Sequence, residues 1–399
     1  MPSFVIGCRW SRVHSNATHG PAAQLVHDVN PCIDHRGASL ARPRTRCVVE
    51  DWRGRVVVIT GASAGVGRAL TRTFARRGAA IALLARGIDG LTAAEAEAVS
   101  GGASALAIPL DVADAAAVDA AAERIERELG PIDVWINNAM VSVFSPVLEM
   151  TADEYRRVTD VTYLGAVHGT LAALRHMVPR DRGCIVQVGS ALAYRAIPLQ
   201  SAYCAAKQAL AGFTESLRVE LPHDRRNVQL TMVQLPALNT PQFDWSKSRI
   251  PREPQPVPPI YQPEVAAEAI AWAAAHPRRE VKVGWPTLLA IWADRLVPGA
   301  ADRYLARTGL EAQQTDTLAS PNRKDNLWRP LPGDHGAHGR FDARARGFSV
   351  QAWMNTRGRR VTVVSSAAAL AIVLLSRRVA KRRLQAGRLV AKAVRHVSS

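Results

Sequence analysis

Tyr203 and Lys207 stand four residues apart, and Ser190 precedes the tyrosine by thirteen. On a helix, positions i and i+4 share a face, so this spacing sets an ammonium beside a phenol. A free phenol titrates near about 10, too high for efficient proton transfer at neutral pH, and a neighbouring positive charge favours the phenolate. Tyr203 so placed can donate a proton to a carbonyl oxygen in reduction or take one from an alcohol in oxidation. Ser190 can hold or polarise the same oxygen. An isolated pair at this spacing can equally decorate a helix surface, so a second cluster is needed to give it meaning.

That cluster is Thr60-Gly61-Ala62-Ser63-Ala64-Gly65-Val66-Gly67, set between the apolar run Val56 to Thr60 and a helical stretch opening at Arg68. Glycines at a strand-to-helix turn permit tight backbone angles and let a pyrophosphate approach the unpaired N–H groups of the helix start. The next apolar run ends Leu83-Leu84-Ala85-Arg86. An acidic residue there would bind the ribose 2′-hydroxyl of NAD; Ala85 has no such group, and Arg86 can fork onto a 2′-phosphate. NADP is therefore expected in preference to NAD.

Further features fall in order: Asp111-Val112 after the third apolar run, Asn137-Asn138-Ala139 after the fourth, Ser190 after the fifth, then Tyr203-Cys-Ala-Ala-Lys207. With the glycine loop, these make residues 52 to 290, roughly 60% of the chain, resemble the short-chain dehydrogenase/reductase family. The resemblance implies a dinucleotide site at Gly61, Ser63, Gly65, Val66 and Gly67, with Asp111 and Val112 at the adenine, Asn137 and Ala139 beside the cofactor, and Arg86 selecting its form. It also implies catalysis by Ser190, Tyr203 and Lys207, with Thr162 supporting the proton relay, and cofactor contact by Tyr203 and Lys207, the lysine holding the nicotinamide ribose. Three positions depart from the family pattern. Thr162 in Thr162-Tyr163-Leu164-Gly165 stands where an asparagine supports the proton relay, and a hydroxyl reaches and donates differently from an amide. Met140 and Ala237 replace family glycines. The expected activity is hydride transfer between NADP and a small-molecule carbonyl or secondary alcohol. The competing reading, a noncatalytic and membrane-tethered nucleotide-binding scaffold, has no need of Ser190, Tyr203 and Lys207 together. Family resemblance further implies a homo-oligomer, and a mobile lid over residues 240–263, where Phe243, Trp245 and Tyr261 either line an apolar pocket or pin the loop.

The elements that must position these groups are legible as short runs rich in Val, Ile and Leu: 56–60, 80–85, 105–110, 134–136, 184–188, 228–235 and 281–284. Continuous apolar runs suit strands buried on both faces of a parallel sheet. Helical stretches such as 68–77, 115–129 and 151–177 alternate with them, and Thr151 with Glu154 has capping-box spacing. The pattern predicts an α/β fold, a Rossmann-type doubly wound parallel sheet with helices on both faces.

Charge divides the chain into an irregular N-terminal extension (1–50), a catalytic domain (51–320), and a linker with a basic C-terminal tail (321–399). The net charge is +17, yet residues 51–320 carry 28 basic and 28 acidic side chains, against 17 and 3 in residues 321–399. Within the tail, residues 361–375 carry no charge, and at 1.5 Å per residue a helix of that length spans roughly 22 Å, short of the ~30 Å hydrocarbon core. Basic residues flank both sides, and residues 377–397 place apolar residues on one stripe. This suits contact with an anionic membrane surface on the cytoplasmic side rather than a span; packing on the body or a partner is the plainer alternative. Nucleic acid fits poorly, since neither zinc-finger spacing nor a stacking-aromatic pattern is present. Five cysteines without a Cys-x-x-Cys pair argue against a disulfide framework or zinc site.

Overall fold

The computed structural model describes residues 51–358. The expected extension 1–50, the apolar run 361–375 and the basic stripe 377–397 lie outside the described residues, as do Cys8, Cys32 and Cys47.

Seven strands, all paired in parallel, build one sheet: β1 (Val56–Thr60), β2 (Ala80–Ala85), β3 (Ala105–Pro109), β4 (Ile132–Asn137), β5 (Cys184–Ser190), β6 (Gln229–Leu235) and β7 (Glu280–Lys282). Their spatial order is β3-β2-β1-β4-β5-β6-β7. The order reverses between β1 and β4, and a crevice opens there at the strands' carboxyl ends, where doubly wound sheets bind nucleotides.

Each strand is apolar on both faces because helices cover both. In β1, Val57 and Ile59 join the core under α1 (Gly65–Ala75), α2 (Ile88–Ser100) and α8 (Pro263–Ala275), while Val56 and Val58 join the core under the opposite layer. That opposite layer is α3 (Ala115–Glu128), α4 (Ala152–Thr159), α5 (Gly165–Met177) and α6 (Ser201–His223). The Thr151/Glu154 capping box forms as expected. The expected helix over 151–177 is interrupted by a π-helical turn at Asp160–Leu164, which carries Thr162. β5 runs two residues beyond the apolar run, so Ser190 is its last residue, paired with Leu235.

A short helix, α7 (Gln242–Trp245), lies in the expected lid, and α9 (Trp285–Leu296) and α10 (Pro298–Thr308) follow the sheet. Residues 321–356, expected as a linker, lie against the body. Leu327 is fully buried in the same cluster as Leu110, Val112 and Val161; Ala337, Phe341 and Ala352 are also buried. Ala345–Arg346 pairs with Ile260–Tyr261. Charge marks a change of composition near residue 320, but apolar burial and strand pairing continue past it.

Candidate active site

Thr60, the last residue of β1, ties the crevice together. Its hydroxyl accepts from the backbone N–H of Asn138 (2.9 Å) and Ala139 (3.0 Å), and donates to the Ile136 carbonyl (3.3 Å). The end of β4 is thereby clamped to the glycine loop. Gly61 and Gly65 take positive φ of 68° and 57°, backbone angles that L side chains rarely adopt. A Cβ on Gly67 would lie 2.0 Å from the Gly61 carbonyl oxygen, so only glycine lets α1 pack this closely on the loop.

One cavity of about 1260 Å³ runs from this loop to α9 and α10. Gly61, Ser63, Gly65, Val66, Arg86, Asp111, Val112 and Ala139 line one half, and Ser190, Tyr203 and Lys207 line its floor. Three predicted residues are not among the lining. Gly67 acts through packing. Asn137 is 3% exposed and turns into the core: its amide donates to Thr170 Oγ1 and Gln187 Oε1 (3.0 Å each) and accepts from Trp135 Nε1 (2.8 Å). Thr162 is buried, its hydroxyl accepting from Val141 N–H (3.1 Å) and donating to the Val141 carbonyl (3.0 Å). The donor of that hydroxyl and one of its two acceptor lone pairs are engaged in holding the loop after β4.

At the floor, Ser190 Oγ accepts from Leu192 N–H (3.1 Å), capping the turn after β5. Burial raises the pKa of the Tyr203 phenol above its usual value and outweighs the lowering by the neighbouring Ser190 hydroxyl, opposite to the lowering expected from the lysine one turn on. Lys207, one turn along α6, is 3% exposed; its Nζ donates to the Val188 carbonyl (2.7 Å) and lies 5.7 Å from the Tyr203 ring centroid. Burial of its charge lowers its pKa to about 8.

Arg86 bounds the other end. Its guanidinium donates to the carbonyls of Asn326 (2.6 Å), Leu327 (3.3 Å) and Trp328 (3.2 Å), and burial lowers its pKa. These bonds use three of five N–H donors, leaving two with no hydrogen-bond partner among the described residues. The segment 326–336 thus straps the dinucleotide half. Arg157 donates to the Leu327 carbonyl and pairs with Asp111. Gly65 N–H donates to the Gly336 carbonyl (3.0 Å). Asp334 pairs with the fully buried Arg68 (3.0 Å), which also holds Glu97.

The sequence motifs pass over this strap, and the Asn137-Asn138-Ala139 motif assigns no role to Asn138, whose amide donates to the carbonyls of Thr60 and Gly61. The available signals were Leu327-Trp328 within a polar stretch and the strand's alternation, which sends Asn137 inward with Trp135. Phe243 and Tyr261 do both jobs weighed for them: each lines the cavity, and each is buried, Phe243 against Phe144 and Phe341. Trp245 lines it too, edge-on to His335 (4.6 Å).

The residues present fit a dinucleotide: the glycine loop lies in the cavity wall, with Gly61 and Gly65 in backbone conformations that L side chains rarely adopt, and Gly65 and Val66 at the start of α1 line the cavity. Known proteins agree. The family model described as short chain dehydrogenase matches residues 55–249. An uncharacterized oxidoreductase, YxnA of Bacillus subtilis (strain 168), is 32% identical over 294 residues, covering 73% of this chain and 83% of that protein. Dehydrogenase/reductase SDR family member 7 of Homo sapiens is 35% identical over 184 residues, 43% of this chain and 54% of that one. Among solved structures, an alcohol dehydrogenase from the archaeon Thermococcus sibiricus complexed with 5-hydroxy-NADP aligns with a TM-score of 0.51 and 28% identity, over 57% of this chain and 94% of that one. A parallel sheet in this order, a glycine loop at its switch point and relatives of this extent have one reading: the chain belongs to the short-chain dehydrogenase/reductase family of NAD(P)-dependent oxidoreductases.

Proposed function

We propose that the protein transfers hydride between NADP and a carbonyl or secondary alcohol, with Tyr203 moving the proton. The observation that carries this is the gathering of Ser190, Tyr203 and Lys207 on the floor of one cavity whose other half is the glycine-loop cleft. A bound dinucleotide supplies or accepts the hydride at its nicotinamide ring. Ser190, which lines the cavity beside Tyr203, is the group assigned to hold the substrate oxygen next to the phenol. Burial keeps the phenol protonated at neutral pH, the form that donates to a developing alkoxide. Lys207 holds its positive charge 5.7 Å from the centre of the Tyr203 ring, with its Nζ oriented by the Val188 carbonyl.

The choice of NADP rests on Ala85 closing β2 and on Arg86, which lines the cavity with two N–H donors left over that a 2′-phosphate could take. The Thermococcus sibiricus neighbour carries an NADP-type ligand, in keeping with this. Purified protein would be assayed with NADPH and NADH across a carbonyl panel, with Tyr203→Phe as control. The expected result is an NADPH preference and a loss of kcat by about 10²–10⁴ in the variant, with NADPH affinity unchanged. Cofactor binding without any turnover that depends on Tyr203 would instead support the noncatalytic scaffold.

A further inference from the structure

The half of the cavity beyond Tyr203 has walls of a particular kind. Trp285, Leu289 and Trp292 are spaced i, i+4, i+7 and so share one face of α9. They are 71%, 71% and 56% exposed, and all three line the cavity. Large apolar side chains left this open, on one face, are uncommon in a soluble body unless the face has an occupant. Here the space they face is the cavity itself. Leu192 and Ile197, on the loop directly after Ser190, and Leu305 of α10 continue the apolar wall.

Charge is removed from the same space. The charged side chains lining the cavity are Arg86, Asp111 and Lys207 around the dinucleotide and proton-transfer groups, the solvent-exposed Arg346, and Arg195. Arg195 is neutralised: it donates to Asp294 of α9 (2.9 Å) and to Asp302 of α10. That double pairing also braces α9 and α10 against the Ser190 loop. Along α9 and α10, away from Lys207, an anionic or polyhydroxylated substrate body would meet only the paired Arg195, and would lose its hydration against tryptophan and leucine.

We infer that the substrate is a neutral carbonyl or secondary alcohol borne on an extended hydrocarbon body, which lies along α9 and α10 with its oxygen at Ser190 and Tyr203. This rests on the oxidoreductase reading above and adds the substrate's chemical class. The hydrocarbon body would bury the open face of α9, and each methylene added within the cavity improves binding by about fourfold.

The test uses the full chain with NADPH and 2-alkanones of five to twelve carbons, beside ω-oxo carboxylates of matching length. Expected is a kcat/KM that climbs about fourfold per methylene before levelling off, and at least about tenfold lower values for the carboxylates. Leu289→Ser and Trp292→Ser should flatten the climb and leave NADPH affinity as in the wild type. Calorimetric binding of the same ketones to NADPH-loaded Tyr203→Phe reads the cavity without turnover. Binding that strengthens with length in the absence of wild-type turnover supports the cavity inference and overturns the oxidoreductase reading. Turnover or binding indifferent to chain length, or equal use of the carboxylates, overturns the inference while leaving oxidoreduction standing.

Discussion

Lys207 is a buried cation whose hydrogen bond goes to a backbone carbonyl, and that arrangement costs stability for the sake of the proton chemistry beside it. Its folded pKa of about 8 lies below the ~10.4 of an unfolded lysine. Between those values the unfolded chain binds more protons, so stability rises with pH across the window; below about 8 the full penalty applies. Lys207→Met is expected to raise unfolding stability at pH 7 by about 1–3 kcal/mol while abolishing turnover, and the gain should shrink as pH approaches 10. Denaturant titrations at pH 7 and pH 10 check both signs; a less stable variant at pH 7 refutes the account. Carbonyl reduction in the wild type should decline as pH rises through about 8, when the lysine loses its charge. Thr162 makes a contrasting case. Its hydroxyl holds both polar groups of Val141, so Thr162→Val should cost about 1–3 kcal/mol of stability and change kcat less than about threefold. A loss of kcat above tenfold in a stably folded variant would restore the relay role implied by family resemblance.

Elements decide what these residues can reach. The π-helical turn at Asp160–Leu164 carries Thr162 in an otherwise regular helix, and the strap 326–336 closes over the opposite end of the cleft. The strap is latched by Arg68 to Asp334 and by Arg86 to three carbonyls. Its Asn326, Pro330, Gly333 and His335 line the dinucleotide half, which places the strap where it could gate nucleotide exchange. Asp334 is partly exposed, which limits its ion pair to about 1 kcal/mol. Asp334→Asn should therefore quicken NADPH dissociation by about fivefold in stopped-flow displacement, with kcat/KM for the carbonyl little changed. An unchanged dissociation rate would mean that the strap is not on the exit path.

For the molecule as a whole, the division at residue 320 suggested by charge and the burial that continues past it make different predictions. Truncation after residue 320 removes fully buried Leu327, whose loss alone as Leu→Ala would cost about 2–5 kcal/mol, together with the partners of Arg68 and Arg86. Such a chain is expected to melt at least about 5 °C lower or fail to fold. Truncation after residue 358 removes 10 of the positive charges and should leave the melting temperature and NADPH affinity unchanged. We propose that this tail serves to bring the enzyme to an anionic membrane surface. Among the described residues no helix is long and apolar enough to cross a bilayer. Fractionation of cells carrying the full and 1–358 chains tests the proposal, which fails if both distribute alike.

The local sequence was sufficient wherever the chemistry is carried by neighbours in the chain. The glycine loop, Tyr203 with Lys207, the capping box and the buried strands each follow from spacing, because backbone periodicity alone brings those side chains together. That the sheet is parallel and doubly wound followed from the alternation of strands and helices with right-handed crossovers, whereas its strand order is seen only in the structure. What spacing could not decide is which way a polar side chain turns once the core forms. Asn137 and Asn138 are adjacent and of one type, yet the first joins Trp135, Thr170 and Gln187 in the interior, and the second borders the cleft. Nor could it join residues 99 to 266 positions apart: Arg86 with the carbonyls of 326–328, Arg68 with Asp334, Arg195 with Asp294 and Asp302. Those contacts exist because burying apolar surface such as Leu327 carries the polar groups around it into reach. They close one end of the cavity and brace the apolar wall of the other, a result of packing and not of any motif.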